Sequence, residues 1–212
     1  MHLKPFVLGI CGGSGSGKTY TVTKITERFP CGTVSILDQD SYYKDLSHLS
    51  PLDRSSVNFD HPSAIDFDQL AADLESLIGG NVIEKPVYDF STHARSKANN
   101  KIAPSPIIIV EGHHIFCQEQ IIDNIDHKVY LDIAMDIRFI RRLVRDISER
   151  GRDIESVIEQ YLNTVRPMDI EFIQPAKTHA DCVITSNNYE HKLSEIIQLL
   201  LAYLDTTKSS HE

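Results

Sequence analysis

Eight consecutive residues carry the densest chemistry in the chain. Gly12, Gly13, Ser14, Gly15, Ser16, Gly17, Lys18 and Thr19 satisfy G-x-x-x-x-G-K-[ST] at every fixed position. Glycines and serines let successive backbone N–H groups turn inward as a nest for phosphate oxygens, where a Cβ would often clash. Lys18 has the reach for β- and γ-phosphates, and the Thr19 hydroxyl suits Mg²⁺. The apolar run Phe6 to Cys11 suits a strand buried on both faces, and the helix expected after Lys18 adds its positive end to the same anion site. A flexible Gly/Ser linker seldom lies between such elements and has no use for Lys-Thr at its end. A dinucleotide-binding turn would employ Asp38, about twenty residues on, but G-x-G-x-x-G is absent and Lys18 would be idle. The stretch through Tyr20 is therefore read as a nucleoside triphosphate site.

Acids follow two further apolar runs. Asp38 and Asp40 come after Thr33 to Leu37, and Glu111 comes directly after Ile107 to Val110. In an open parallel sheet these strand ends share one rim, where a second metal contact or a proton acceptor belongs. Asp40, deeper in its loop, is the candidate acceptor and Asp38 the alternative. Six of the ten arginines fall between Arg138 and Arg152. At about 100° per residue, Arg138, Arg141, Arg142 and Arg145 share one helix face, with Arg150 and Arg152 just beyond. Such a uniformly basic face would repel itself without an anion, and it predicts a mobile lid over a transferring phosphate. Tyr88, Phe90 and His93 serve as sheet filler or as the stacking and hydrogen-bonding types of a base pocket. Asn58 to Pro62 is a polar cluster in a long loop. The adjacent His113 and His114 do not share a helix face and have no evident third ligand, so they are read as structural.

The chain must place these groups with 212 residues, enough for one well-buried domain, with 41% hydrophobic and 24% charged residues. A net charge of −9 argues against coating nucleic acid, and no apolar run approaches bilayer length. Four cysteines without C-x-x-C pairing are read as reduced core or near-core thiols of a cytoplasmic protein. Helices are expected from Thr19 to Phe29, from the Asp66–Gln69 capping box to Ile78, over Asp136 to Glu149, Ile154 to Val165 and Glu190 to Leu204, with Pro167 to about Phe172 continuing as a second short helix. Strands are expected at Lys128 to Asp132 and Ala180 to Thr185 as well. Val82 to Ile102, weakly alternating, reads as a two-strand excursion. The alternation implies an α/β fold, a central parallel sheet covered by helices on both faces. Residues 1–205 are taken as one domain, with a lid over about 138–165 and a frayed polar tail over 206–212.

The segments GGSGSGKT, DQDSYYKD, NFDHPSAID, PVYDFSTHAR, IIIVEG, RRLVRDISERGRD and VRPM…FIQPAK…AD resemble, in order and spacing, the uridine–cytidine kinase family. The likeness runs from about Phe6 to Ile184 and is strongest to bacterial members. It implies a P-loop kinase fold whose β-hairpin, about 82–102, covers the nucleoside. It implies transfer of the γ-phosphate of ATP or GTP, with Mg²⁺, to the 5′-hydroxyl of uridine or cytidine. By resemblance Asp40 is the catalytic aspartate, Asp60 binds the ribose hydroxyls with Phe59 beside it, and Tyr88 and His93 read the base with Phe90 walling the pocket. Arg142, Arg145, Arg150 and Arg152 take lid and nucleoside-contact positions and Gln160 a ribose-contact position. Lys18, Thr19 and Glu111 match the phosphate and Mg²⁺ positions. The family also implies a homotetramer, with inhibition by pyrimidine triphosphates in some members.

Two departures stand out. His113-His114 replaces the hydrophobic residues usual after the Glu-Gly pair, and Thr185-Ser186-Asn187-Asn188 replaces an Arg-Gly element tied to donor-base contacts. Rival readings fit less well. A kinase for a sugar phosphate or pantothenate would want further cations near the hairpin. A GTP-dependent switch needs N-K-x-D, whereas Asn100-Lys101-Ile102-Ala103 has no aspartate. A module without turnover would not need Asp40, Glu111 and the arginines.

Overall fold

Four consecutive β-branched residues, Ile107 to Val110, are fully buried, so the strand that holds them is covered on both faces. The computed structural model describes residues 4–50, 53–54, 57–90 and 92–209. In chain order the strands are β1 (Phe6–Cys11), β2 (Val34–Asp38), β3 (Ile83–Asp89), β4 (Ala94–Ile102), β5 (Ile107–Gly112), β6 (His127–Leu131) and β7 (Cys182–Ile184). Five form a sheet in the order β2-β5-β1-β6-β7, with every pairing parallel. Its register sets Ile10 of β1 and Asp38 of β2 on either side of Glu111. The three strand ends thereby meet on one rim.

The helices of seven residues or more are α1 (Lys18–Thr26), α2 (Phe67–Ile78), α3 (Met135–Ser148), α4 (Ile154–Gln160) and α5 (Tyr189–Ser209). On one face of the sheet Val22 and Ile25 of α1 and Leu193, Ile196 and Leu200 of α5 pack against Leu8, Ile10 and Ile109. On the other, Leu70, Leu74 and Leu77 of α2 pack with Tyr42, Phe116, Val7 and Val110. Asp66 caps α2 by accepting from the Gln69 N–H at 3.2 Å, as the expected capping box requires. The box is only half formed, because the Gln69 side chain accepts from Arg95 at 2.6 Å instead. Strands β3 and β4 pair antiparallel as a separate hairpin, with a register shift between Pro86 and Tyr88.

Several boundaries differ from the sequence reading. Helix α1 stops at Thr26, and tight turns at Arg28 and Phe29 replace its expected last turn. The short helix expected from Pro167 to about Phe172 is present as helical backbone, but it is continuous with the helix before it. Helix α4 runs on through π turns at Tyr161–Val165 and Asp169–Ile173, which bracket the proline. Widening the ladder to i→i+5 removes the clash that a proline ring makes with the carbonyl four residues back. The helix at the C-terminus continues to Ser209, so the fraying expected from Thr206 is not seen there; residues 210–212 lie outside the described residues. Cys31, expected near the core, is exposed, whereas Cys11 is buried; all four thiols are free. No helix among the described residues is long and apolar enough to cross a membrane.

Candidate active site

The phosphate loop connects β1 to α1. Gly15 adopts φ +77°, and a Cβ there would lie 2.3 Å from the Arg138 carbonyl oxygen. At Gly13 a Cβ would overlap the Arg138 guanidinium. A side chain at Gly15 would be strained in conformation and clash with backbone, and one at Gly13 would have to displace the Arg138 guanidinium from its partner. Helix α1 begins at Lys18 with no side-chain cap on its first amides, which leaves them open toward an anion. Lys18 Nζ folds back on the loop, donating to the carbonyls of Gly12 at 2.8 Å and Gly13 at 3.3 Å. Burial lowers the Lys18 pKa, opposed by the nearby charges of Glu111 and Asp40. Ser16 Oγ is buried without a partner. Tyr20, expected on the donor side, is exposed, with its ring 6.0 Å from Tyr189.

Glu111 ends its strand beside the loop, and both its carboxylate oxygens lie 3.4 Å from the Thr19 hydroxyl. Burial lifts the Glu111 carboxyl to about 7 against the pull of Lys18. A buried carboxylate and a hydroxyl make an all-oxygen donor set, and Mg²⁺ uses such a set together with substrate phosphates and water. The residues fit that ion.

Asp38 and Asp40 are set apart by their partners. Asp38 Oδ2 accepts from the N–H and hydroxyl of Ser41, at 3.1 and 2.5 Å, and so caps the 3₁₀ turn Gln39–Tyr42 that carries Asp40. Its other oxygen is paired with Lys85 of the hairpin. Asp40 accepts no hydrogen bond among the described residues and opens to the cleft, where water reaches it. The surrounding protein raises its pKa by desolvation, and Lys18 opposes that rise. Asp38 is a structural tie, and Asp40 is the unencumbered carboxylate.

The hairpin and the polar loop pack an aromatic cluster near Asp40. His93 stacks on Phe59 with ring centroids 4.3 Å apart and planes 16° from parallel. Tyr43 touches Tyr88 at 5.0 Å and Phe90 at 5.9 Å. Tyr88 Oη and His93 Nδ1 are buried without hydrogen-bond partners. His93 has φ 50°, the one left-handed non-glycine among the described residues, a conformation that costs energy and gathers at functional sites. Asp60 accepts from the Thr164 hydroxyl at 2.7 Å, and its carbonyl meets His114 Nε2 at 2.8 Å. Burial raises the Asp60 pKa, with Arg142 pulling it down. His114 is fully buried and its pKa falls to about 4 through desolvation, so it is neutral and buttresses Asp60, in keeping with the structural reading. Tyr43 and Thr164 were not singled out from sequence. Tyr43 has the same signal as Tyr88, a ring able to stack and hydrogen-bond, and lies three residues from Asp40, but Thr164 has none.

The lid overturns one expectation. Its arginine face is not bare of negative charge. Arg138 is buried and gives a forked pair to Asp169 at 2.7 and 2.8 Å. Its third donor, Nε, goes to the Ile133 carbonyl at 3.0 Å. Arg138 therefore faces a carboxylate, not the cleft. Asp146, fully buried, gathers Arg145 at 2.8 Å, Arg142 and Arg150 at 3.5 Å and Arg152 at 3.7 Å. The anion that this basic face requires is built into the chain. Arg142 also reaches the phosphate loop, donating to Ser14 Oγ at 3.0 Å, and holds Gln160 at 2.9 Å, to which Arg152 also donates. Arg150 lies over the Phe90 ring at 5.3 Å, joining lid to hairpin.

The sequence matches the profile of the Phosphoribulokinase / Uridine kinase family over residues 7–191. It is 46% identical over 193 residues to a protein named uridine kinase from Brevibacillus brevis, covering 91% of this chain and 90% of that one. A protein of the same name from Clostridium perfringens is 47% identical, covering 92% of this chain and 93% of its own length. Among solved structures, phosphoribulokinase from Rhodobacter spheroides superposes with a TM-score of 0.62 at 16% identity, covering 86% of this chain and 70% of that chain, which shows a shared fold.

Proposed function

Since the chain belongs to the Phosphoribulokinase / Uridine kinase family and is a phosphotransferase of the P-loop kinase fold, we propose that it transfers the γ-phosphoryl group of a nucleoside triphosphate to the 5′-hydroxyl of uridine. One observation carries this reading. An aromatic cluster of Tyr43, Phe59, Tyr88, Phe90 and His93, with two buried and unpartnered polar atoms, Tyr88 Oη and His93 Nδ1, lies near Asp40, the member of the Asp38/Asp40 pair that is free of hydrogen-bond partners. A pyrimidine edge satisfies those atoms, and the ring faces stack on it.

Gly12 to Thr19 hold the donor phosphates, with Tyr20 on the donor side. Lys18 leaves the loop carbonyls for the β- and γ-phosphates. Thr19 and Glu111 hold Mg²⁺, which neutralises phosphate charge when bound. Asp60, kept in place by Thr164 and His114, takes the ribose hydroxyls with Phe59 and Gln160 beside it. Asp40 accepts the 5′-hydroxyl proton as the oxygen attacks in line. Arg142, Arg145, Arg150 and Arg152 close from the lid, and the Arg142 contact to Ser14 supports their proximity to the phosphates. The same reading takes cytidine as a second acceptor, ATP or GTP as donor, residues 1–205 as one domain, the cytoplasm as its location and a homotetramer as its assembly.

A phosphorylated acceptor fits poorly. The hairpin cation nearest the rim, Lys85, is taken by Asp38, and Arg95 is taken by Asp66 and Gln69. A coupled assay crossing ATP and GTP with uridine, cytidine, ribulose 5-phosphate and pantothenate tests the reading. Turnover is expected with the pyrimidine nucleosides. Turnover with ribulose 5-phosphate and none with uridine contradicts it.

A further inference from the structure

Gln39 is fully buried, although it lies between the two rim acids Asp38 and Asp40. Its side chain packs against the end of β5, where a Cβ at Gly112 would lie 2.4 Å from Gln39 Oε1 and 2.5 Å from Gln39 Cβ. The glycine after Glu111 is thus the space that Gln39 occupies.

Two histidines follow that glycine, and Gln39 binds both. Gln39 Oε1 accepts from the His114 backbone N–H at 2.8 Å, which leaves its amide nitrogen facing His113 Nδ1 at 3.2 Å. An amide nitrogen only donates, so His113 Nδ1 is bare and Nε2 carries the ring proton. The His114 ring extends the chain of contacts. Its Nε2 stands 2.8 Å from the Asp60 carbonyl. A carbonyl only accepts, so this nitrogen is protonated and His114 Nδ1 is bare. The two rings touch, with centroids 4.2 Å apart. A continuous line of bonded groups therefore runs from the 3₁₀ turn that carries Asp40, through Gln39 and the end of β5, to the backbone of Asp60.

Stability alone does not account for this pair. His113 Nε2 and His114 Nδ1 are both buried without a partner, and a buried polar atom left unpaired carries a cost that an aliphatic side chain avoids. Local rules broken in this way concentrate at functional sites. What the pair joins gives its role.

We propose that His113 and His114 are positioning residues, which act through Gln39 to hold Asp40, assigned to the 5′-hydroxyl proton, at a fixed separation from Asp60, assigned to the ribose hydroxyls. A ribonucleoside gripped by Asp60 then presents its 5′-oxygen to Asp40 in register. Small misplacements of a bound reactant cost rate out of proportion to binding. The inference rests on the ribose reading of Asp60 and deepens it.

The two ends of the line are separable. His114→Leu keeps the backbone N–H that holds Gln39 and releases Asp60 alone. His113→Leu releases the Gln39 amide, on the Asp40 side. The acceptor 2′,3′-dideoxyuridine keeps the 5′-hydroxyl but gives Asp60 nothing to grip. In steady-state kinetics, His114→Leu is expected to lower kcat/KM for uridine on the order of tenfold. It should barely change the value for the dideoxynucleoside or the KM of the donor. His113→Leu is expected to lower both acceptors alike. A glutamine amide nitrogen can stand where Nε2 stood, and an asparagine oxygen where Nδ1 stood. His114→Gln should therefore restore the advantage of uridine, and His113→Asn the common rate. A general loss of fold would not distinguish the acceptors.

Equal losses on both acceptors in His114→Leu overturn the proposal, and so does an undiminished advantage of uridine. Asp60→Asn, measured alongside, separates the two readings. It should erase the same advantage. If it does and His114→Leu does not, the positioning role falls and the ribose reading stands. If Asp60→Asn leaves the advantage in place, the ribose reading falls and the proposal with it.

Discussion

The phosphate loop and the arginine-rich lid, both assigned above to phosphate in the proposed function, are built from opposite materials. The loop offers backbone amides over eight consecutive residues, shaped by glycines at Gly12, Gly15 and Gly17 in conformations that other residues rarely adopt. The lid uses guanidinium groups on long side chains, and these are held by carboxylates. Asp169 lies well beyond the arginine cluster in sequence, while Asp146 lies within it. A backbone nest is preorganised by its own chain. A cluster of arginines must be preorganised by a counter-ion, which also offsets part of the charge available to a phosphate. Four arginines around one buried Asp146 keep a surplus of positive charge while fixing their positions. Preorganisation in the lid is therefore a tertiary property, and it can be broken from a distance.

The largest effect is expected where the two regions touch. The Arg138–Asp169 pair lies against Gly13, so it supports lid and loop together. Asp169→Ala leaves Arg138 buried and unpaired, at a cost of about 3–5 kcal/mol in denaturant-measured stability. A variant with wild-type stability would show that the pair behaves as a surface contact and that the loop is independent of the lid.

Next comes Glu111, on the loop side. Its folded pKa of about 7 lies above the ordinary 4.5, so the stability it contributes is fully present below about pH 4.5 and is lost as pH rises through 7. At about 1.4 kcal/mol for each tenfold change in proton affinity, the full excursion approaches roughly 3 kcal/mol. Without added metal, Glu111→Gln should gain stability relative to wild type between pH 5 and pH 8, by chemical denaturation at each pH. A difference that is flat with pH would mean the carboxylate is solvated after all. His114, held near 4 by burial, bears the opposite sign. It costs stability as pH falls from 6.5, so the comparison must be made variant against wild type.

A smaller effect is expected across the cleft. His93→Ala removes one buried polar reader of the base, worth about 1–3 kcal/mol in kcat/KM for uridine. The apparent affinity for the donor should stay close to that of wild type, since the loop is built without the hairpin. Equal losses for both substrates in steady-state kinetics would make His93 a structural residue.

What was legible in the sequence divides along the same line. The phosphate loop was readable because its chemistry is local, and Ile107 to Val110 because a buried parallel strand is apolar throughout. The capping box at Asp66 was readable for the same reason, though Arg95 took the Gln69 side chain from it. Asp146 and Asp169 were invisible, since an acid in a charged helix ordinarily faces water. The 3.6-residue period of α3 was plain, but periodicity does not say which face turns inward, and here the polar face does. Pro167 read as a helix start because a π turn that absorbs a proline leaves no sequence mark. The ranking of Asp40 over Asp38 was weak until Ser41 and Lys85 were seen to occupy Asp38.

That ranking is also where the account is most exposed. If Asp40 takes the 5′-hydroxyl proton, Asp40→Asn keeps the size and one acceptor oxygen but removes the charge. Its kcat with uridine and ATP should fall by roughly 10²–10⁴, while both substrates still bind within a few-fold in equilibrium titrations. Asp38→Asn, measured in parallel, should lose far less rate and show its deficit mainly as a lowered melting temperature. Abolished turnover in Asp38→Asn with near wild-type turnover in Asp40→Asn would contradict the assignment of the proton acceptor.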